Sequence, residues 1–148
     1  MTGTAGPGPR SRARALALQA LYQWQMTGQD LSEIERQFFE DNDPSGFDTR
    51  LFRDLLHGVP SHLSELDQAL GPWINRPLER SGPVERALLR LGAYEFLYHP
   101  EVPVPVIVNE AVELVKTFGP PEARRYVNGV LDRLGRHLRP GERRKGRG

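Results

Sequence analysis

The side chains with the most chemistry to offer are arginines and aromatic rings near the two ends of the chain. The stretch KTFGPPEARRYVNGVLDR, Lys116 to Arg133, sets Phe118 and Tyr126 about a loop and helix start that also carries Arg124 and Arg125. Interleaved aromatics and guanidinium groups can stack unpaired bases while neutralising phosphates, at about 1–3 kcal/mol per stacked base. The competing reading makes both rings helix-end core residues and the arginines simply solvated. Phe118 fits an apolar stripe, so Tyr126 is the better placed to stack. At the other end, Arg10, Arg12 and Arg14 alternate through the first turns of a helical pattern. Cations there oppose the helix macrodipole, at a cost of about 0.3–1 kcal/mol each. A phosphate chain would supply the countercharge, and the planar guanidinium fork matches phosphate well. The alternative is a solubilising, partly frayed end.

The charge layout agrees with a polyanionic partner. The chain has 148 residues, with 20 basic and 19 acidic side chains and a formal net charge of only +1. Residues 1–14 contain three arginines and no acid, residues 29–48 hold seven acids against Arg36, and residues 133–148 carry six arginines and Lys145 against Glu142. Basic ends of this kind favour nucleic acid whatever the total charge. The acidic 30–48 segment has no partner assigned by its sequence and reads as a solvated face.

Catalytic constellations are poor. There is no Cys, which removes disulfides, Cys-zinc sites, iron–sulfur clusters and thiol catalysis. His57, His62, His99 and His137 are scattered, and no Gly-rich phosphate loop or nucleophile–base spacing occurs. Glu110 and Glu113 could share a metal but read as an ordinary solvated pair. The expectation is a non-enzyme with no cofactor, metal or small-molecule substrate. No run nears the roughly 18 apolar residues of a membrane span, and no h-region follows the first arginines, so a soluble, cytoplasmic protein is expected.

The elements that must position these groups are helical throughout. Residues 1–9 are small and rich in Gly and Pro and read as a disordered tail. From Arg10, the residues Leu16, Ala17, Ala20, Leu21 and Trp24 follow a 3.6-residue period that Gly28 ends. Asp30 reads as an N-cap with Glu33 as its capping-box partner, and DNDPSG stops that short helix. Leu51 to Leu70 keep one phase across Gly58-Val59-Pro60, which predicts a kink rather than a new element. Trp73 to Gly82 reads as a short helical turn. Pro83 opens a strong helix that His99-Pro100 ends; Val108 to Phe118 and Pro121 to Leu138 give two more. Asn109 is expected to make a buried hydrogen bond, and Gly129 to mark close approach of a neighbouring helix. The result is an all-α domain of about six or seven helices over residues 10–139, followed by a disordered basic tail at 140–148.

The stretches RARALALQALYQWQ, FRDLLHGV, VERALLRLGAYE, VPVIVNEAVELVKTFG and YVNGVLD resemble, in order and spacing, the NusB transcription antitermination factors. The resemblance covers about Arg10 to Arg139 and is most specific in NEAVELVK-x-FG and VNGVLD. It implies two packed three-helix bundles forming one unit. It also implies binding of boxA RNA in ribosomal RNA leader transcripts jointly with NusE, a small-subunit ribosomal protein, within the RNA polymerase antitermination complex. By resemblance the RNA surface falls on Arg10, Arg12, Arg14, Phe118, Glu122 and Tyr126, with Arg124 and Arg125 added by the residue reading above. The NusE-facing surface falls on Tyr22, Met26, Glu79, Glu85 and Arg90; acidic side chains suit a basic ribosomal protein. Glu122 is longer than the Asp expected there, and Ser11 interrupts an arginine run. Two alternatives stand beside this reading. One is a helical adaptor that binds only protein. The other is a NusB-like accessory module of an RNA methyltransferase, which the missing catalytic cysteine and the lack of room for a cofactor-binding domain count against.

Overall fold

The computed structural model describes residues 7–142, and among these it is all-α, with seven helices and no strand. Of the tails expected at 1–9 and 140–148, residues 1–6 and 143–148 lie outside the described residues; within the rest, Pro9 already belongs to the first helix and 140–142 have helical backbone. The chain divides into two units, residues 1–60 and 61–148.

The first unit contains α1 (Pro9–Thr27), α2 (Leu31–Asp41) and α3 (Thr49–Ser61). Pro9 at the first turn needs no N–H partner, and Gly28 closes α1 at φ 68°, its N–H donating to the Trp24 carbonyl at 2.9 Å. Ala13, Ala17, Leu18 and Leu21 are buried along α1. Asp30 caps α2 as expected, accepting from the Ser32 N–H at 2.8 Å. Glu33 does not complete a capping box; it pairs with Arg36 at 2.7 Å, which also reaches Glu40. Helices α2 and α3 are joined by tilted and edge-to-face rings, with Phe52 about 5.6–5.9 Å from Phe38, Phe39 and Phe47. Asp48 caps α3 through the Leu51 N–H at 3.0 Å.

The expected kink is instead a break. Pro60 lies inside α3, but the helix ends one residue later, and α4 (Leu63–Leu70) starts afresh from His62 at φ −121°, ψ 26°. Proline removes one donor and crowds the carbonyl four residues back, so the next turn is not worth continuing. The conserved phase of leucines across this point therefore belongs to two helices.

The second unit is built around α5 (Pro83–Tyr98), which packs against α4, α6 (Val104–Phe118) and α7 (Ala123–Leu138). Short 3-10 turns at Gly71–Trp73 and Leu78–Arg80 bridge α4 and α5. From Ala87 to Phe96 every residue of α5 is buried, the mark of a helix enclosed on all sides. Two glycines make this packing possible. A Cβ on Gly92 would meet Leu131 Cδ2 at 2.7 Å, and one on Gly135 would meet Val104 Cγ1 at 2.7 Å and Phe96 Cζ at 2.9 Å. Gly129, expected to serve this purpose, does not: an added Cβ there would meet only the far end of Arg133, at 3.8 Å.

Arg139, just past α7, closes the unit. Its guanidinium donates to the carbonyls of Phe96 at 3.1 Å, His99 at 3.0 Å and Glu95 at 3.2 Å, and to that of Val102. It also pairs with Glu142 at 2.9 Å, and Glu142 accepts from the Val104 N–H at the start of α6. One arginine thus gathers carbonyls from the end of α5 and the turn after it, among them that of Phe96. Burial works against the Glu142 charge, but the Val104 amide and Arg139 outweigh it and hold the carboxyl below its usual range.

Candidate nucleic-acid interface

In the first unit, Arg10 and Arg12 are exposed at the start of α1 and leaned on by the 46–48 loop. Arg12 Nη1 donates to the Gly46 carbonyl at 3.0 Å, and Arg10 Nη1 lies 3.5 Å from Asp48 Oδ2. The loop is itself fixed to the helix start, because the Asp48 N–H donates to the Pro9 carbonyl at 3.0 Å. Exposed contacts of this kind are worth only about 0–1 kcal/mol, so they orient the guanidinium groups without consuming them. A guanidinium has five donors, and Arg12 is seen to spend one of them on Gly46.

Arg14 is different. It is only 5% exposed and takes part in further interactions, so it does not present a surface to a ligand. It stands four and seven residues before Leu18 and Leu21, on the buried stripe rather than the solvent side.

In the second unit, Phe118 ends α6 and is 40% exposed, while Gly119 turns the chain away with its N–H on the Val115 carbonyl at 2.8 Å. Glu122, Arg124 and Arg125 are exposed around the start of α7. Tyr126 is half-buried; the Arg76 guanidinium sits 4.3 Å from its ring centroid, and its hydroxyl is buried with no hydrogen-bond partner. The order expected from sequence is therefore reversed. Phe118 offers the open ring, and Tyr126 already stacks a cation. Arg124 and Arg125 also line a groove of about 540 Å³ along α6 and α7, with Val104, Val108, Asn109 and Asn128. Asn109 is exposed on this groove and not buried as expected.

The residues assigned to a protein partner divide in two. Tyr22 and Met26 are exposed one turn apart on α1, and Glu79 is exposed in its 3-10 turn. Glu85 and Arg90, at 7% and 8% exposure, serve the fold instead. Glu85 accepts from the Gly82 N–H at 2.9 Å and pairs with Arg76 at 3.5 Å. Arg90 grips both Asp67 carboxylate oxygens at 2.9 Å. Arg76 was not singled out in the sequence, although it links Tyr126 to Glu85. It stands alone in the turn PWINRPLE, which gives no periodic signal by which to find it. Among the described residues no cluster of three acidic or histidine side chains is arranged to hold a metal, and no helix is long and apolar enough to cross a membrane.

Residues 11–136 match the NusB family model. The chain is 49% identical over 133 residues to the transcription antitermination protein NusB of Nitrosococcus oceani, covering 90% of this chain and 89% of that one. It is 52% identical to the protein of the same name from Alkalilimnicola ehrlichii, covering 91% and 86%. Among solved structures, NusB of T. maritima superposes with a TM-score of 0.73 at 30% identity, covering 86% of this chain and 91% of that one. A crystal structure of the antitermination factors NusB and NusE in complex with double-stranded RNA gives 0.74 at 25%, covering 86% and 96%. Sequence, fold and a surface of ordered arginines lead to the same place: this chain belongs to the NusB family of transcription antitermination proteins.

Proposed function

We propose that this protein acts in antitermination by binding boxA RNA of ribosomal RNA leader transcripts together with NusE, in the cytoplasm, as part of the RNA polymerase antitermination complex. The observation that carries the reading is the pair Arg10 and Arg12, exposed and pre-oriented by the 46–48 loop. Ordered guanidinium groups lose less freedom on meeting a phosphate than free ones do. Exposed Phe118, Arg124 and Arg125 supply a ring and further cations on the second unit. A NusB of similar fold has been crystallised with NusE and RNA, which supports the same assignment here. For the protein partner, Tyr22, Met26 and Glu79 are the contact residues; Glu85 and Arg90 support the surface from within.

A gel-shift assay with boxA RNA, with and without NusE, tests the proposal. A shifted band that strengthens when NusE is added is the expected result. No shift in either lane overturns it and leaves a helical adaptor that binds protein alone.

A further inference from the structure

Beside Arg12 the first unit carries a concavity of about 380 Å³ that no role considered so far uses. Such a volume lies within the range of about 300–1,000 Å³ for small-ligand sites. Its lining is of two kinds. Ala15, Leu16 and Phe47 give an apolar floor, and Phe47 is held rigid by the rings of Phe39 and Phe52. Asn42 and Asp43 give polar atoms, and Gly46 leaves open space where any other residue would place a Cβ.

Apart from the Arg12 guanidinium at its edge, the polar atoms on offer are the acceptors of Asn42 and Asp43. The Asn42 amide nitrogen donates to the Phe38 carbonyl at 3.0 Å, which leaves its oxygen for a ligand. Asp43 accepts from the Ser45 N–H at 3.0 Å and keeps lone pairs to spare. Hydrogen bonds from the Ser45 backbone and side chain hold the Asp43 carboxyl below its usual range, so it is ionised at neutral pH.

We propose that this concavity is a nucleobase site, in which an unpaired guanine of the bound RNA rests on Leu16 and Phe47 and donates to Asp43 and Asn42 while Arg12 takes an adjoining phosphate. Guanine presents an imino and an amino hydrogen side by side, a match for one carboxylate. Uracil presents a single imino hydrogen between two carbonyls, which would face acceptor against acceptor. The inference rests on the RNA-binding reading above and adds a specificity determinant to it.

The test compares three uridine 12-mers by fluorescence anisotropy: all uridine, one central guanosine, and one central inosine, which lacks the amino group. The wild-type protein should favour the guanosine RNA over all-uridine by about tenfold, the discrimination typical of one bidentate contact, with inosine between them. Asp43→Asn keeps the capping oxygen for Ser45 and so the turn, but it replaces one acceptor by a donor. Removing a negative charge raises the affinity of all three RNAs together. The guanosine preference, however, should fall to about twofold or less. If all three RNAs bind with a salt dependence that Arg12→Ala weakens, yet the preference is absent or survives Asp43→Asn, the base site is wrong and the RNA reading stands. If no RNA binds at any salt concentration, both fall.

Discussion

Three arginines of the first helix look alike in the sequence and differ in the structure, which makes them a decisive test. Arg10 and Arg12 are exposed, whereas Arg14 is 5% exposed on the Leu18 and Leu21 stripe. Each phosphate neutralised on a single strand contributes a slope of about 0.7 to the fall of log affinity with log salt. Raising salt fourfold, from 50 to 200 mM, should therefore cost about 2.6-fold per contact, or about sevenfold for two. The Arg10→Ala/Arg12→Ala variant should lose about 1.4 from the slope and melt close to wild type, since its lost surface contacts are worth about 0–1 kcal/mol each. Arg14→Ala should keep the slope. Losing a buried cation strands its partners, at about 3–5 kcal/mol, which is a fall in Tm of roughly 6–20 °C in a chain of this size. Anisotropy titrations of boxA RNA at four salt concentrations, paired with thermal melts, measure both quantities. An Arg14→Ala protein that melts normally and flattens the slope as much as Arg12→Ala would refute the reasoning.

The two outlying glycines of α7 should respond in opposite directions to alanine in urea unfolding. Gly129→Ala makes only an ordinary contact with the end of Arg133 and should stabilise by about 1 kcal/mol, whereas Gly135→Ala drives a methyl into Val104 and Phe96 and should cost about 1–3 kcal/mol. Phe118→Ala should weaken boxA RNA by about 1–3 kcal/mol with an unchanged melt, and Tyr126→Ala should lower Tm more and RNA affinity less, because Arg76 already covers its ring. Equal RNA losses with equal melts would remove that distinction. Glu35 gives a pH test. Burial raises its carboxyl, but hydrogen bonds from His57 at 2.6 Å and Arg53 at 3.2 Å, with their charges, outweigh this and leave it lowered overall. A carboxyl lower in the folded state contributes stability above its unfolded value of about 4.3, and that stability drains away as pH falls through the folded value. Glu35→Gln should therefore flatten the acid side of the urea-midpoint profile.

The helix ends were legible because single residues dictate them: Gly28, Pro83 and Gly119 each stop or start a helix for reasons of backbone geometry alone. The Pro60 break was misread because leucine phase is a weaker guide than a missing donor. Among candidate site residues, exposure was the quantity that a list of types and spacings conveyed least well. Arg14 shares a helical face with Leu18 and Leu21, so its burial could have been read from spacing had the stripe been extended backward. Glu85 and Arg90 were lost for another reason. Helix α5 is buried along most of its length, so Glu85 and Arg90 are taken inside and paired. Arg76 and the Asn42–Asp43 rim depend on turns folding back against helices, and no periodic pattern encodes that.

The clasp made by Arg139 changes how the basic C-terminal end should be understood. Arg139 is consumed by carbonyls and Glu142, Arg136 pairs with Asp132 at 2.7 Å, and Arg133 reaches the carbonyls of Gly129 and Trp73. Of the cations counted there as lure for RNA, Arg139 is internal mortar, while Arg133 and Arg136 stay exposed with only surface contacts. The match to the family model, 11–136, stops short of both Arg139 and Glu142. A recombinant fragment trimmed to those limits would keep the whole of that match yet leave the carbonyls of Phe96 and His99 without their guanidinium, so a boundary drawn there is not the one the fold needs.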